Sequence, residues 1–377
     1  MIRDTAPPML FILDPNFNRL GAIINGASGL NYSSLEWRSV FHKPDAFLVK
    51  CPVADSRDMD MIMDREALYI IRSDTLQVGR IWKKEFDLES RELEISGKGA
   101  ESFLTKRYIA NTKEYIPDAG ALGLNAAGRI MARLINDNSP PGWLVANETE
   151  NEVGESIYLS VKNTKNVLSY IEQIAKAYDV GFGTVLDERS GKVIFKAYRP
   201  LSIDVDVEGR TYRLSDDLGN IKSLSFATDS EKYFNYISVL GEADPATGIE
   251  FSAIVDQSAG GEVHAMRHKG KTKRRAYTDT QYAALLQAEG VIELSRRRVD
   301  EAFEVTPKEG TAEDRINIAV GWEVFCQSYF VNMQTTFFCT ELKELWENIY
   351  SREYTFGYRR DMKDEFMIEI EEEIINV

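Results

Sequence analysis

Ala67-Leu-Tyr-Ile-Ile-Arg72, Gln77-Val-Gly-Arg-Ile-Trp-Lys-Lys-Glu-Phe86 and Arg91-Glu-Leu-Glu-Ile-Ser96 follow one another across two short polar turns, Ser73-Asp74 and Glu89-Ser90. In the last stretch Leu93 and Ile95 share one face, with Arg91, Glu92 or Glu94 toward water. That is the period-two pattern of an antiparallel sheet solvated on one side. The segment predicts a β-meander, and nothing in it has catalytic character, so it reads as scaffold.

Upstream, Leu10 to Leu13, Leu20 to Ile24, Asn31-Tyr-Ser-Ser-Leu-Glu-Trp-Arg38 and Ala46-Phe-Leu-Val-Lys-Cys51 add short strands between turn signals about 8 to 12 residues apart. Residues 1–110 are therefore expected to form a first β-barrel-like domain. Residues 111–204 change character. Ile130, Met131, Leu134 and Ile135 lie at helical spacing before Pro140-Pro141, and Val167, Tyr170, Ile171, Ile174 and Tyr178 share a second helical face opened by Thr164 or Asn166. Gly181 to Leu186 and Lys192 to Tyr198 alternate around Arg189-Ser-Gly191 as a hairpin, so this stretch is expected to be a small α+β insert.

Residues 205–358 return to β as a second barrel-like domain. Ser223 to Phe226 and Phe234 to Gly241 read as paired strands, and Gly248 to Val255 as another. A helix near 280–298, capped by Thr280, interrupts them; its Tyr282, Leu285, Leu286 and Ile292 form a core stripe and Gly290 costs it about 1 kcal/mol. Ile316 to Cys326 and Tyr329 to Cys339 are rich in Val, Phe and Thr, and Tyr350, Tyr354, Phe356 and Tyr358 recur at strand spacing. Glu341 to Ile349 fits either helix or strand. The acidic segment 359–377 fits a strand, a helix or a frayed tail. The fold class is thus α+β, mainly β. The two β-rich parts are expected to superpose as a hidden duplication; one continuous sheet, or two unrelated β folds, counts against the structural role that the resemblance below implies.

With 377 residues, 44% hydrophobic and 28% charged, the chain is long enough for two or three compact units with real cores. Met9-Leu-Phe-Ile-Leu13 is too short for a signal-peptide core or a membrane span, so synthesis and residence in a cytosol are expected, without membrane insertion. Cys51, Cys326 and Cys339 are odd in number and far apart, which encodes neither a disulfide framework nor a metal knuckle. The 60 acidic against 45 basic residues, a net charge of −15, disfavour strong capture of nucleic acid. One stretch opposes that balance: Arg267, Lys269, Lys271, Lys273, Arg274 and Arg275 give six cations in nine residues. With no aromatics interleaved, it reads as a solvated loop or a subunit or tube contact.

The search for chemistry returns little. His264 and His268 are four apart, but flanking glycines weaken helix support and no carboxylate or cysteine stands at ligand spacing. Gly97-Lys-Gly-Ala-Glu-Ser102 lacks the third glycine of a dinucleotide loop and reads as a strand-to-helix turn. Asp58, Asp60 and Asp64 are interleaved with Met59, Met61, Ile62 and Met63 and lack a calcium-loop glycine, so an amphipathic helix is expected. Asp187-Glu188 and Asp216-Asp217 sit at turns. No catalytic residue, metal site or cofactor is assigned, and a non-enzymatic role is expected.

Taken in order, Leu10-Phe-Ile-Leu-Asp-Pro-Asn-Phe17, Ser34-Leu-Glu-Trp-Arg38, Phe47-Leu-Val-Lys-Cys-Pro52, Glu94-Ile-Ser-Gly97, Gly181-Phe-Gly-Thr-Val-Leu-Asp187, Lys192-Val-Ile-Phe195, Leu214-Ser-Asp-Asp-Leu-Gly-Asn-Ile221 and Phe234-Asn-Tyr-Ile-Ser-Val-Leu-Gly241 resemble the tail-hub family of long-tailed bacteriophages, the ReqiPepy-type siphovirus tail proteins. Val320-Gly-Trp-Glu-Val324 is an imperfect counterpart of the family's later turn. The resemblance implies a structural hub or baseplate protein with two barrel-like domains per chain and three chains per ring, matching a sixfold tube. It implies tail-tube or distal tail proteins above, tail-tip or receptor-binding proteins below, the tape-measure protein as a further candidate neighbour, and DNA only in passage. The location implied is the virion tail, and the host cytoplasm before assembly. Two other classes use the same strands: a receptor- or carbohydrate-binding module lined by Tyr354, Phe356 and Tyr358, and a cell-wall hydrolase built on carboxylates distant in sequence.

Overall fold

The computed structural model describes residues 6–25, 30–54, 57–63, 65–115, 126–138, 140–202, 213–230, 233–244, 247–274, 277–297, 300–308, 318–330, 332–347 and 349–357. The acidic segment 359–377, Asp64, Arg275 and Tyr358 lie outside them. The chain is mainly β, with few helices.

The first unit contains β1 (Leu10–Leu13), β2 (Arg19–Ile23), β3 (Ser34–Val40), β4 (Ala46–Pro52), helix α1 (Arg57–Met63), β5 (Leu68–Arg72), β6 (Val78–Asp87) and β7 (Glu92–Gly99), then a 3-10 helix, Ala100–Lys106. The meander is present: β5 pairs antiparallel with β6 and β6 with β7, a bulge falling between Ile81 and Lys83. Alternation does what the sequence demands, because Leu93 and Ile95 are fully buried while Glu92 and Glu94 stay partly wet. The strands order β3-β4-β7-β6-β5-β1-β2 around a core centred on Trp37, Val49, Ile70, Leu93 and Ile95. Helix α1 forms where an amphipathic helix is expected, and its Ile62 enters that core.

The insert holds β8 (Lys113–Tyr115), α2 (Ala127–Asp137), β9 (Leu144–Val145), β10 (Leu159–Val161), α3 (Val167–Tyr178), β11 (Gly181–Asp187) and β12 (Lys192–Tyr198). Asn166 caps α3, its side-chain oxygen accepting from Ser169 N at 2.9 Å, and β11 and β12 form the expected hairpin. The insert does not own its core. Ile130, Leu134, Ile171, Ile174 and Phe195 pack in one cluster with Tyr69, Ile71, Val78 and Leu104 of the first unit.

The last unit contains β13 (Leu201–Ser202), β14 (Arg213–Ser215), β15 (Ile221–Asp229), β16 (Tyr236–Ala243), β17 (Glu250–Asp256), β18 (Ala265–Lys269), α4 (Asp279–Ser295), β19 (Asp300–Pro307), β20 (Trp322–Ser328), β21 (Met333–Trp346) and β22 (Tyr350–Gly357). Two expectations, the pairing of β15 and the cap of α4, are corrected here. β15 does not pair with β16; it pairs with β19, from Ile221 opposite Pro307 to Asp229 opposite Asp300. Between those neighbouring strand ends the chain makes a separate module, a sheet ordered β17-β16-β18 with α4 on one face and its own core of Ile237, Val239, Tyr282, Leu286 and Leu294. Helix α4 is capped by Thr278 rather than Thr280: Thr278 Oγ1 accepts from Gln281 N at 3.3 Å and Gln281 Oε1 accepts from Thr278 N at 3.1 Å. That reciprocal box needs a Gln or Glu three residues on, which Thr278 has and Thr280, followed there by Ala283, lacks. The stripe also divides, since Ile292 packs on the insert's core rather than on the module's own sheet.

The two β-rich halves are joined by backbone pairing. β21 is a strand throughout, resolving the ambiguity of Glu341 to Trp346, and it runs beyond its own unit. Glu341 to Trp346 pair with Val40 to Leu35 of β3, so one sheet continues from β15 to β2 and its two ends do not pair among the described residues. The two β-rich halves are welded at β21–β3. The strand order nevertheless repeats: β15-β19-β22-β21-β20 follows the same path as β3-β4-β7-β6-β5. Within each set of five, the first two strands in chain order pair, then the last, then the last but one, then the strand before that. Even the bulge recurs, between Cys339 and Glu341 in β21 as between Ile81 and Lys83 in β6.

A buried cation locks the weld. Arg72 of β5, 1% exposed, donates at 2.7 Å to Glu344 of β21 and at 2.7 and 3.1 Å to Asp74, and lies over Trp37 and Trp346. Removing one partner of a buried pair strands the other charge. Arg72→Met is therefore expected to lower unfolding free energy by about 3 to 5 kcal/mol in urea titration, and a loss below about 1 kcal/mol contradicts this role. A second expectation reverses the sequence-based reading of Gly290, at which a Cβ would stand 2.9 Å from Val255 Cγ2 and 3.0 Å from Val239 Cγ2. Gly290→Ala should lower the melting temperature; the gain expected of an unconstrained helical site would refute close packing as the reason for glycine.

Candidate functional site

The polar groups that hold the three main parts together converge beside the weld. Asp45, on the β3–β4 turn, accepts from Val40 N (3.2 Å), Trp37 Nε1 (3.4 Å) and Gln77 Nε2 (2.7 Å). Glu101, in the 3-10 helix and 1% exposed, accepts from Thr184 Oγ1 of β11 at 2.5 Å, joining first unit to insert. Gly99 makes that position reachable: a Cβ there would stand 2.1 Å from Glu101 Oε1. Desolvation, reinforced by the Asp45 charge, pushes the Glu101 pKa up to about 8, and desolvation pushes Asp45 up to about 6 against its hydrogen bonds. Two carboxyls with raised pKa values resemble an acid/base pair, but Glu101 has no surface to offer a polymer. A shallow groove of about 290 Å³ lies elsewhere, between Lys222, Thr306, Lys343, Arg352 and Glu353, with one acid only.

Two cations of the basic stretch, Lys273 and Arg274, are paired with acids of their own module. Arg274 bridges Asp244 (2.8 Å) and Asp279 (2.7 Å) and lies over Phe251; Lys273 reaches Glu242 at 3.0 Å. Lys271 is held by its backbone, its N donating to Glu289 Oε1 at 2.7 Å and its carbonyl accepting from Lys162 Nζ at 3.0 Å. Arg267 and Lys269 stand exposed on the edge strand β18, paired through Ser238 and Leu240 with β16. His268, on that strand rather than on a helix, meets Glu289 at 3.1 Å, whereas His264 is 3.9 Å from Glu262. Among the described residues no group of three or more His, Cys, Asp or Glu could hold a metal. Cys51, Cys326 and Cys339 are buried free thiols.

Of the aromatics suggested for a carbohydrate site, the two described residues do not reach the surface. Tyr354 and Phe356 are fully buried in the last unit's core, because β22 turns them toward Phe303 and Val305. Asp187 and Asp216 serve turns, Asp216 accepting from Ser328 Oγ at 2.6 Å and Tyr329 N at 3.1 Å. Sequence reasoning missed Arg72, Glu344, Asp45 and Glu101, whose partners are distant in sequence. The one local signal was Gly97-Lys-Gly99 directly ahead of Glu101.

The raised carboxyl gives a pH test. Below the unfolded-state value of about 4.3 both states hold the proton; between there and about 8 the folded chain keeps one that the unfolded chain releases. Its stabilisation is thus full at low pH and lost as pH rises toward 8. Glu101→Gln, neutral throughout, should melt near wild type at pH 5 and clearly above it at pH 8.5. A difference that does not widen with pH contradicts a protonated Glu101.

Comparison with known proteins agrees with this architecture. No curated protein matches the sequence. The tail protein from Neisseria meningitidis MC58 superposes with a TM-score of 0.53 at 12% identity, over 93% of this chain and 96% of that one. The 43 kDa tail protein of prophage MuSo2 from Shewanella oneidensis gives 0.52 at 11%, over 93% and 97%. Prophage tail protein gp18 from Listeria monocytogenes EGD-e gives 0.53 at 10%, over 97% and 99%. At such identities these likenesses establish a shared fold. Residues 9–358 match the family described as siphovirus ReqiPepy6 Gp37-like protein, and with nearly the whole chain covered it belongs to that family of phage tail proteins.

Proposed function

We propose that this chain is a structural, non-enzymatic hub of the phage tail, three copies forming a ring that joins the tail tube to the tail tip and lets DNA pass without holding it. The observation that carries this is the repeated strand order, β3-β4-β7-β6-β5 and β15-β19-β22-β21-β20. A chain with two like-folded halves presents six comparable units when three copies assemble about one axis, which suits a sixfold tube. The ring's neighbours are tube or distal tail proteins on one side and tip or receptor-binding proteins on the other, with the tape-measure protein inside. Arg267 and Lys269 face outward to a subunit or tube contact.

Charge supports passage without retention. Phosphate contacts made by Lys or Arg add salt-sensitive affinity, and this chain carries a net −15. Across its solvated sheet face, cations are tied to acids: Arg38 to Glu341 (3.2 Å), Lys343 to Glu36 (3.3 Å) and Lys50 to Glu92 (3.7 Å). Sedimentation of the purified chain is expected to show a species of three times the monomer mass. Duplex DNA titrated near physiological salt should show no affinity as tight as micromolar, with or without Lys271→Glu and Lys273→Glu together. A persistent monomer contradicts the ring; micromolar DNA binding that the double change abolishes contradicts the unretentive channel.

A further inference from the structure

We infer that the free edge of β6 in one copy pairs antiparallel with the free edge of β15 in the next, repeating between chains the junction that β21 and β3 make within one. This deepens the ring reading and rests on it. The intrachain weld supplies the template. In the last unit β21 continues past its bulge and, on the side away from β22, adds to β3, the strand that leads the repeated order in the other half. In the first unit the counterpart of β21 is β6, whose stretch after the bulge, Lys83 to Asp87, pairs with β7 on one side only. The strand that leads the repeated order in the last unit is β15, which among the described residues pairs only with β19. Among the described residues, no strand covers either edge. Long unpaired edges are templates for adding a strand from another chain.

The repeat also fixes the register. Matching the two bulges places Glu341 with Lys83 and Lys343 with Glu85, while the partners of Phe47 and Phe303 place Trp37 with Phe226 and Arg38 with Ala227. Since Lys343 opposes Arg38 and Glu344 opposes Trp37 within the chain, Glu85 should oppose Ala227 and Phe86 should oppose Phe226 between chains. Both Phe86 and Phe226 are half-buried, packed at the margins of their cores. One step further, Trp346 opposes Leu35 and is 4% exposed, whereas its counterpart Leu88 is 80% exposed. Leu88, opposite Leu224 in this register, is an apolar side chain left in water by the single chain and covered by the second copy. Alternating junctions within and between chains then close a ring.

Glu85 and Ala227 are both exposed and lie seven strand spacings apart along the sheet, about 34 Å at about 4.8 Å each, so a disulfide between cysteines placed there joins two chains. Glu85→Cys with Ala227→Cys, mildly oxidised, should give covalent multimers up to trimer on a non-reducing gel. Glu85→Cys with Ser223→Cys, out of register on the same face, should give few. The native thiols are buried and add little background. Leu88→Asp, at an exposed position, should keep the wild-type melting temperature while weakening self-association by about tenfold or more. If the wild-type chain assembles but the in-register pair does not cross-link, or links only within one chain, this junction is wrong and the ring reading stands. If the wild-type chain stays monomeric, both fall.

Discussion

Six residues of backbone hold this molecule's two halves together. Glu341 to Trp346 add themselves to β3 in place of a strand that the first unit does not itself provide, and the sheet passes from one half to the other without a linker. Joining two folded units through hydrogen-bonded strands fixes their orientation far more tightly than a flexible connection would, because slipping the register by one residue would turn every buried side chain of the strand to water. Arg72 makes the joint specific. Its guanidinium belongs to β5, its partner Glu344 to β21, and the flanking indoles of Trp37 and Trp346 come one from each half. The proposed ring, which presents several units at fixed angles around an axis, needs such a joint.

The rest of the chain hangs on that frame. The insert shares a core with the first unit, so it is seated by apolar packing and by the hydrogen bond from Thr184 to Glu101, whereas the β16–β18 module has its own core and is carried out and back between the adjacent ends of β15 and β19. The module has acids placed to pair Lys273 and Arg274 of its basic stretch, so part of that stretch's composition serves local stability, while Arg267 and Lys269 stand exposed on its edge strand.

Much of this was legible in the residues. Period-two alternation located the meander, helical spacing located α2 and α3, and the Asn166 cap was readable because its partner is three residues away. What failed was long-range or geometric. Nothing in Ser223 to Phe226 says that its partner lies beyond a module some seventy residues long, so adjacency in sequence was mistaken for pairing. Thr280 looked like a cap until the reciprocal Gln281 was counted from Thr278. Tyr354 and Phe356 gave the right period but not the side, since only packing against Phe303 decides which face is inside. Gly290 read as a helix weakness because the valines it approaches sit on β16 and β17, more than thirty residues upstream. The buried carboxyls were invisible for the same reason: Asp45 and Glu101 acquire their character from desolvation, a property of the assembled junction.

A cryo-electron-microscopy map of the assembled tail tests the account most directly. The account predicts three copies around the axis, each contributing two like-folded β units at nearly the same height, with β21 seated on β3 inside every copy. A copy number other than three, or first and last units separated along the axis with that strand pairing broken, would contradict it.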